Sequence, residues 1–359
     1  MKHDSKIKYT KTLPLLLCFL LAGFLSFALT GCSDMVEIQD RDFVLAMGIS
    51  YSDQYQVTYA LPNLDYVTGQ SVAEEDEKFV RTFEGNSIPE IEDLYDMNSE
   101  KALDYRHLQA IILDKSMFLH QEKLESFLKY IDENYTISRN VLIYYSTDNT
   151  EKLIKSNGTL GGSIGDYLKK LDKNNINKEE PAALGDLMNT LDSTKTIVIP
   201  VIEGGNDSVS LEGAVIYQKG LDLEFLTEEE RKLYNILLGN GTDYIFNMNG
   251  TAIRLKKIES IKVYDYESRK PVVTLKLSAE IEYLQYPSFA EQEDIASVNQ
   301  VLEDKIMNLI NIHVKQEKFD LLNLYETSSY KKPEIWMDYE NRMDSFINDV
   351  IIRVNLLIR

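Results

Sequence analysis

The sequence predicts a mixed fold class, α/β grading into α+β, in which mixed and antiparallel sheets are packed by helices. Three observations carry this. Short apolar strands alternate with capped amphipathic helices through the first half of the chain. Long strands with strict period-two alternation dominate the second half. Apolar residues make up 44% of 359, enough to bury more than one core.

Residues 1–31 are built differently from the rest. Lys2, Lys6, Lys8 and Lys11 precede an uncharged run of 17 residues, Leu13 to Leu29, and then Thr30-Gly31-Cys32. A basic start, an apolar stretch and small residues before a cut make an export signal. The run is long for a signal and short for a relaxed membrane span, so an uncleaved anchor is the competing reading. Leu29-Thr30-Gly31-Cys32 decides between them, because apolar, small, Gly, Cys resembles a bacterial lipobox. In a lipobox the thiol is diacylated and the chain is then cut just before the cysteine. Cys32 is therefore the expected lipid-attachment residue, and two acyl chains, at about 0.8 kcal/mol per buried methylene, suffice for stable anchoring.

Beyond the cysteine, "VEIQDRDFVLAMGIS", "QYQVTYALPNL" and "EKFVRTFEGNS" read as strands punctuated by Asp53, Pro62, Gly69 and Gly85. "AEEDE" at 73–77 is expected as a solvated hairpin tip. Ser87, Pro89 and Glu90 then open a capped helix. "LQAIILD" is a buried strand, and "QEKLESFLKYIDENY" is an amphipathic helix with Leu124, Phe127, Leu128 and Ile131 on one face. "NVLIYYS" is the next strand. Residues 150–192 are helical and polar, forming a small subdomain or a helical lid. "TIVIPVI" is a strand, and the Gly-rich turn "EGGND" at 203–207 is the best internal boundary.

After that boundary, "SVSLEGAVIYQKG" begins a strand pair. Thr227 and Glu230 form a capping box for "EEERKLYNILLG", which Gly239 ends. Val273, Leu275, Leu277, Ala279, Ile281 and Tyr283 alternate with polar residues on the clearest strand of the chain. "IKVYDY" pairs with it through "ESRK", although those four residues lack the Gly of a tight two-residue turn. A long helix follows at 291–317, its inner stripe formed by Ile295, Val298, Leu302, Ile306, Leu309 and Ile310. The last strand sets Val350, Ile352, Val354, Leu356 and Ile358 on one face. The expected domains are a signal peptide at 1–31, an N-terminal domain at 32–203 and a C-terminal domain at 204–359.

Charge and motif content narrow the function classes. With 38 Lys plus Arg against 58 Asp plus Glu, the net charge of −20 argues against a nucleic-acid surface. After cleavage, 34 of those cations and 57 of those anions remain, so the body carries −23 and no cysteine other than Cys32. An anionic membrane surface would repel it. His107, His120 and His313 lie 13 and 193 residues apart and match no metal-ligand spacing. "GGSIGD" at 161–166 lacks the Lys and Ser or Thr of a phosphate loop, and no nucleophile elbow occurs. No catalytic, cofactor-binding or metal-ligating residue is assigned. Trp336 is either a core anchor or an interface hot spot.

Several stretches together resemble one family. The lipobox with "CSDMVEI" and "FVLAMGIS", then "YRHLQAIILDKSMF", "LEGAVIYQKGLDLEFLTEEERKLYNILLGN" and "LLNLYETSSYKKPEIWMDYENRM" are similar, in order, to the C-subunit lipoproteins of spore germinant receptors, the Ger(x)C family. Ser33 follows the cysteine where that family commonly has Trp. The resemblance implies a non-catalytic, lipid-anchored, three-part α/β body without cofactors on the outer face of the spore inner membrane. It also implies partnership with two polytopic subunits, A and B, in the response to small germinants. A solute-binding lipoprotein of an uptake system is the alternative, and it would show two similar lobes around one cleft. An exported, lipid-anchored hydrolase is a further rival, and it would need a catalytic constellation.

Overall fold

The computed structural model describes residues 37–62, 80–156, 164–174, 181–191, 193–204, 209–240, 243–248, 251–284 and 295–359. The chain divides into two compact units, 1–41 and 42–359. In the first, a 3-10 turn spans Ile38–Asp40, and the Asp40 N–H donates to the Glu37 carbonyl at 3.0 Å. The second unit holds two large sheets. Cys32 and the "AEEDE" tip lie outside the described residues, as does the first half of "GGSIGD", residues 161–163.

β1 (Arg41–Phe43) leads into the second unit. The larger sheet follows, with β2 (Ala46–Tyr51), β3 (Tyr55–Ala60) and β4 (Val80–Gly85) at one end. The short β5 (Ala102–Asp104) precedes its central strands β6 (Ala110–Asp114) and β7 (Leu142–Ser146). β8 (Thr196–Gly204), β9 (Val209–Gln218) and β10 (Glu224–Leu226) complete the order β10-β9-β8-β7-β6-β2-β3-β4. The β2, β6, β7 and β8 neighbours run parallel, and antiparallel strands flank them on both sides. Central parallel strands are covered on both faces, which is why β6 and β7 are near-continuous apolar runs rather than alternating ones.

Helices supply that cover. On one face, α1 (Ile88–Asn98), α2 (Lys115–Leu119) and α3 (Gln121–Glu133) pack against Met47, Ile49, Ile111 and Leu113. The four predicted α3 residues, Leu124, Phe127, Leu128 and Ile131, are all buried there. On the other face, α4 (Thr150–Ser156) and α5 (Ile164–Asn174) bring Leu153, Ile154, Ile164 and Leu168 onto Ala46, Ala110 and Ile112. α6 (Leu184–Asn189) returns to the first face. Residues 150–192 thus contribute helices to both sides of the sheet. α4 approaches so closely that a Cβ on Gly48 would meet Thr150 Cβ at 2.8 Å. The Ser87 cap forms as expected, its hydroxyl accepting the Glu90 N–H at 3.3 Å.

α7 (Glu228–Leu238) begins with the expected capping box. Thr227 Oγ1 accepts the Glu230 N–H at 3.2 Å, and the Glu230 carboxylate accepts the Thr227 N–H at 2.9 Å. Gly239 ends the helix in the left-handed region at φ +74°. The second sheet is β11 (Asp243–Met248), β12 (Thr251–Glu267), β13 (Lys270–Tyr283) and β14 (Ile351–Ile358), in that order. Its strands are antiparallel except for the parallel pair of β13 and β14. Between those two lie α8 (Ile295–Leu309), a π-helical segment at Ile310–Gln316, α9 (Leu324–Lys331), α10 (Pro333–Trp336) and α11 (Met343–Asp349).

One expectation needs correction, and the pairing through "ESRK" holds with a detail added. The helix expected as one piece over 291–317 changes its winding at Ile310, and the Glu317 N–H donates to the Ile312 carbonyl five residues back. The β12–β13 connection is a tight two-residue turn despite having no Gly. Glu267 pairs with Lys270, while Ser268 and Arg269 adopt φ +50° and +68°.

The C-terminal core joins Leu275 and Leu277 of β13, Val298, Leu302 and Ile306 of α8, and Phe346 of α11. It also takes in Ala214 and Ile216, which lie on the face of β9 turned away from the N-terminal core. β9 is therefore a wall shared by both halves. Among the described residues, no helix is long and apolar enough to cross a membrane.

Candidate functional site

The expected attachment residue, Cys32, lies outside the described residues. Within them, the three histidines fall in three separate places. His107 is exposed, with its ring edge-on to Phe43 at 4.9 Å. His120 is also exposed, its Nδ1 2.9 Å from the Ser116 carbonyl. His313 is buried on the π-helical segment, with its Nε2 3.6 Å from Glu230 Oε1. No group of three or more His, Cys, Asp or Glu among the described residues could hold a metal ion. Trp336 packs against the C-terminal core, its ring centroid 6.0 Å from that of Tyr325.

The polar chemistry concentrates where β8 and β9 meet the segment before α9. Gln218 ends β9 and is 3% exposed. Its Oε1 accepts the Thr196 hydroxyl at 2.6 Å and the Asp320 N–H at 3.1 Å. The Thr196 N–H donates to Asn323 Oδ1 at 3.3 Å. Asn323 itself is left-handed at φ +52°, so its own side chain does not cap α9. Asp320 does so instead, its carboxylate accepting the Leu324 N–H at 2.6 Å and the Tyr325 N–H at 2.8 Å. A carboxylate at a helix start also meets the positive end of the helix dipole.

Burial raises the Asp320 pKa to about 6, against the lowering pull of those two N–H groups and of the Lys262 charge. Lys262 is shifted down by its own burial, which the Asp320 charge partly offsets, and its Nζ donates to the Leu322 carbonyl at 2.9 Å. The result is a buried polar joint between the two sheets.

Beside this joint opens a cavity of about 380 Å³, bounded by α6, the start of β8, the C-terminal half of α7 and Asn323. Asn189, Asn235, Asn240 and Asn323 line it together with Asp186, while Ile197 and Leu238 supply apolar surface. Lys195 stands at its edge, its Nζ 3.4 Å from Glu326 Oε2. The arrangement can hold a small molecule by hydrogen bonds from neutral groups.

Sequence reasoning passed over Gln218, Thr196, Asp320, Asn323 and Asn235. No local signal marked them: Asp320 stands three residues before the N-cap position Asn323, outside the spacing by which a capping residue is read from sequence.

Comparison with known proteins covers most of the chain. Residues 34–204 match the family described as spore germination protein N-terminal domain. Residues 212–359 match the family described as spore germination B3/GerAC like, C-terminal. Spore germination protein A3 of Bacillus subtilis (strain 168) is 23% identical over 270 residues, 72% of this chain and 68% of that protein. The crystal structure of the GerBC protein superposes with a TM-score of 0.56 at 15% identity, covering 87% of this chain and 96% of that one. That last likeness carries the α+β fold.

Proposed function

Because the chain belongs to the GerAC-like spore germination family, the C subunits of germinant receptors, we propose that it is a lipid-anchored, non-catalytic subunit acting with polytopic A and B subunits in the germination response. The reading places a diacylglyceryl group on Cys32 and the folded body on the outer face of the spore inner membrane. It also divides the body into an N-terminal domain at 32–203 and a C-terminal domain at 204–359.

The observation that carries this reading is the order of motifs. A lipobox comes first, and matches to the family's two domains follow in sequence. The body that follows Cys32 bears −23 charges, so its approach to anionic lipid is unfavourable. Partner surfaces that are neutral or basic suit it better.

The test is Cys32→Ala in the intact chain, followed by fractionation of dormant spores and a germination assay. The expected result is an uncut precursor, poor membrane retention and impaired germination. A variant that stayed membrane-bound through lipid and germinated normally would overturn the reading.

A further inference from the structure

We propose that the cavity between the two sheets is a binding site for a small, neutral, polyhydroxylated solute. The proposal concerns this body alone and does not depend on the subunits with which it assembles. A volume of about 380 Å³ falls at the small end of the roughly 300–1,000 Å³ usual for ligand pockets.

The decisive residue is Asn235. It is 5% exposed and lines the cavity, yet no residue among those described hydrogen-bonds its carboxamide. Solvent reaches this carboxamide from the cavity, so a ligand entering there can take up its hydrogen bonds in place of water. A carboxamide both donates and accepts, which matches a hydroxyl on both counts. Asn323 lines the same cavity. Its Oδ1 is fixed by the Thr196 N–H at 3.3 Å, which turns the amide nitrogen into an oriented donor.

Charge selects against ionic ligands. Lys195 is paired with Glu326 at 3.4 Å. Asp186 caps α6 by accepting the Ala183 N–H at 3.2 Å. The wall thus carries one charge of each sign, Lys195 and Asp186, with no excess of either to favour an ion, and a chain of net charge −20 repels anions at long range. The Tyr234 ring and Leu238 give a polyol's carbon face an apolar surface to lie on.

Isothermal titration calorimetry of the full chain in detergent, with sorbitol and D-galactose as probes, tests this. The expected result is saturable binding of at least one polyol. Asn235→Leu, which removes the carboxamide at similar volume, should weaken it tenfold or more, equivalent to about 1.4 kcal/mol. Leu238→Trp, which fills the cavity from a half-buried position, should abolish it, and near-ultraviolet circular dichroism checks that each variant is folded. If Asn235→Leu does not fold, Leu238→Trp decides alone. Absence of binding by both polyols would overturn the proposal, as would undiminished binding in folded Leu238→Trp. Binding of zwitterionic L-alanine with both polyols silent would overturn the assigned ligand class.

Discussion

Gln218 Oε1 accepts the backbone N–H of Asp320 at 3.1 Å, across 102 positions of sequence. The same oxygen takes the Thr196 hydroxyl at 2.6 Å, so one carboxamide ties the end of β9 to β8 and to the α9 approach. Gln218→Leu keeps the bulk but removes the acceptor from two buried donors. Each orphaned donor costs about 1–3 kcal/mol, so a loss of about 3 kcal/mol is expected. The check is the urea midpoint followed by circular dichroism. An unchanged midpoint would show that the joint does not hold the sheets together.

Asp320 makes stability depend on pH with a defined sign. An exposed aspartate titrates at 3.8, whereas burial raises this one to about 6. Between those values the native state keeps a proton that the unfolded chain has released. Stability from this group therefore falls as pH rises from about 4 to about 6 and is level on either side, a change of about 3 kcal/mol. Asp320→Asn removes the titrating group while keeping an acceptor oxygen for one of the two capped N–H groups. Urea midpoints for both proteins across that window should diverge, the wild-type slope being the more negative. Parallel curves would reject the assignment.

The β12–β13 turn is built from residues that dislike its geometry. Ser268 at φ +50° and Arg269 at φ +68° occupy the left-handed region, which costs a residue with a Cβ about 1–2 kcal/mol. Arg269→Gly should relieve the second of these and raise the unfolding free energy by about 1 kcal/mol. Thermal unfolding gives the readout, and a lower melting temperature would contradict the strain.

These residues also show what was legible in the sequence. Period-two alternation located β13, and the capping patterns at Ser87 and Thr227 located the starts of α1 and α7, because those signals are local and each is satisfied within four residues. The Ser268–Arg269 turn was not legible as tight, since its conformation is imposed by the pairing of two long strands rather than by turn chemistry. The π-helical segment was hidden for a similar reason: Val314 stays on the buried face, so the apolar periodicity hardly changes. The polar joint and the cavity were invisible because their members come from β8, β9, α7 and the α9 approach. No spacing in one dimension encodes that meeting. Fold class and element order could thus be read from the sequence, while the candidate site needed the third dimension.

Gly213 tests how the shared wall is made. It lies in β9 at φ +81°, opposite the register shift between Pro200 and Ile202 of β8. A glycine at positive φ is the usual means of absorbing such an irregularity. Space forbids a side chain as well, since a Cβ here would stand 2.2 Å from the Leu226 carbonyl oxygen of β10. That obstacle is backbone and cannot rotate away. Gly213→Ala must therefore strain φ and push β10 from β9, which also displaces Thr227 and the start of α7 that it caps. We expect a loss of more than about 2 kcal/mol. Hydrogen exchange should locate the damage at β10 and α7 while β2 and β6 remain protected. Uniform loss of protection would instead show that the two halves unfold as one, and wild-type stability would show that β9 does not need its glycine.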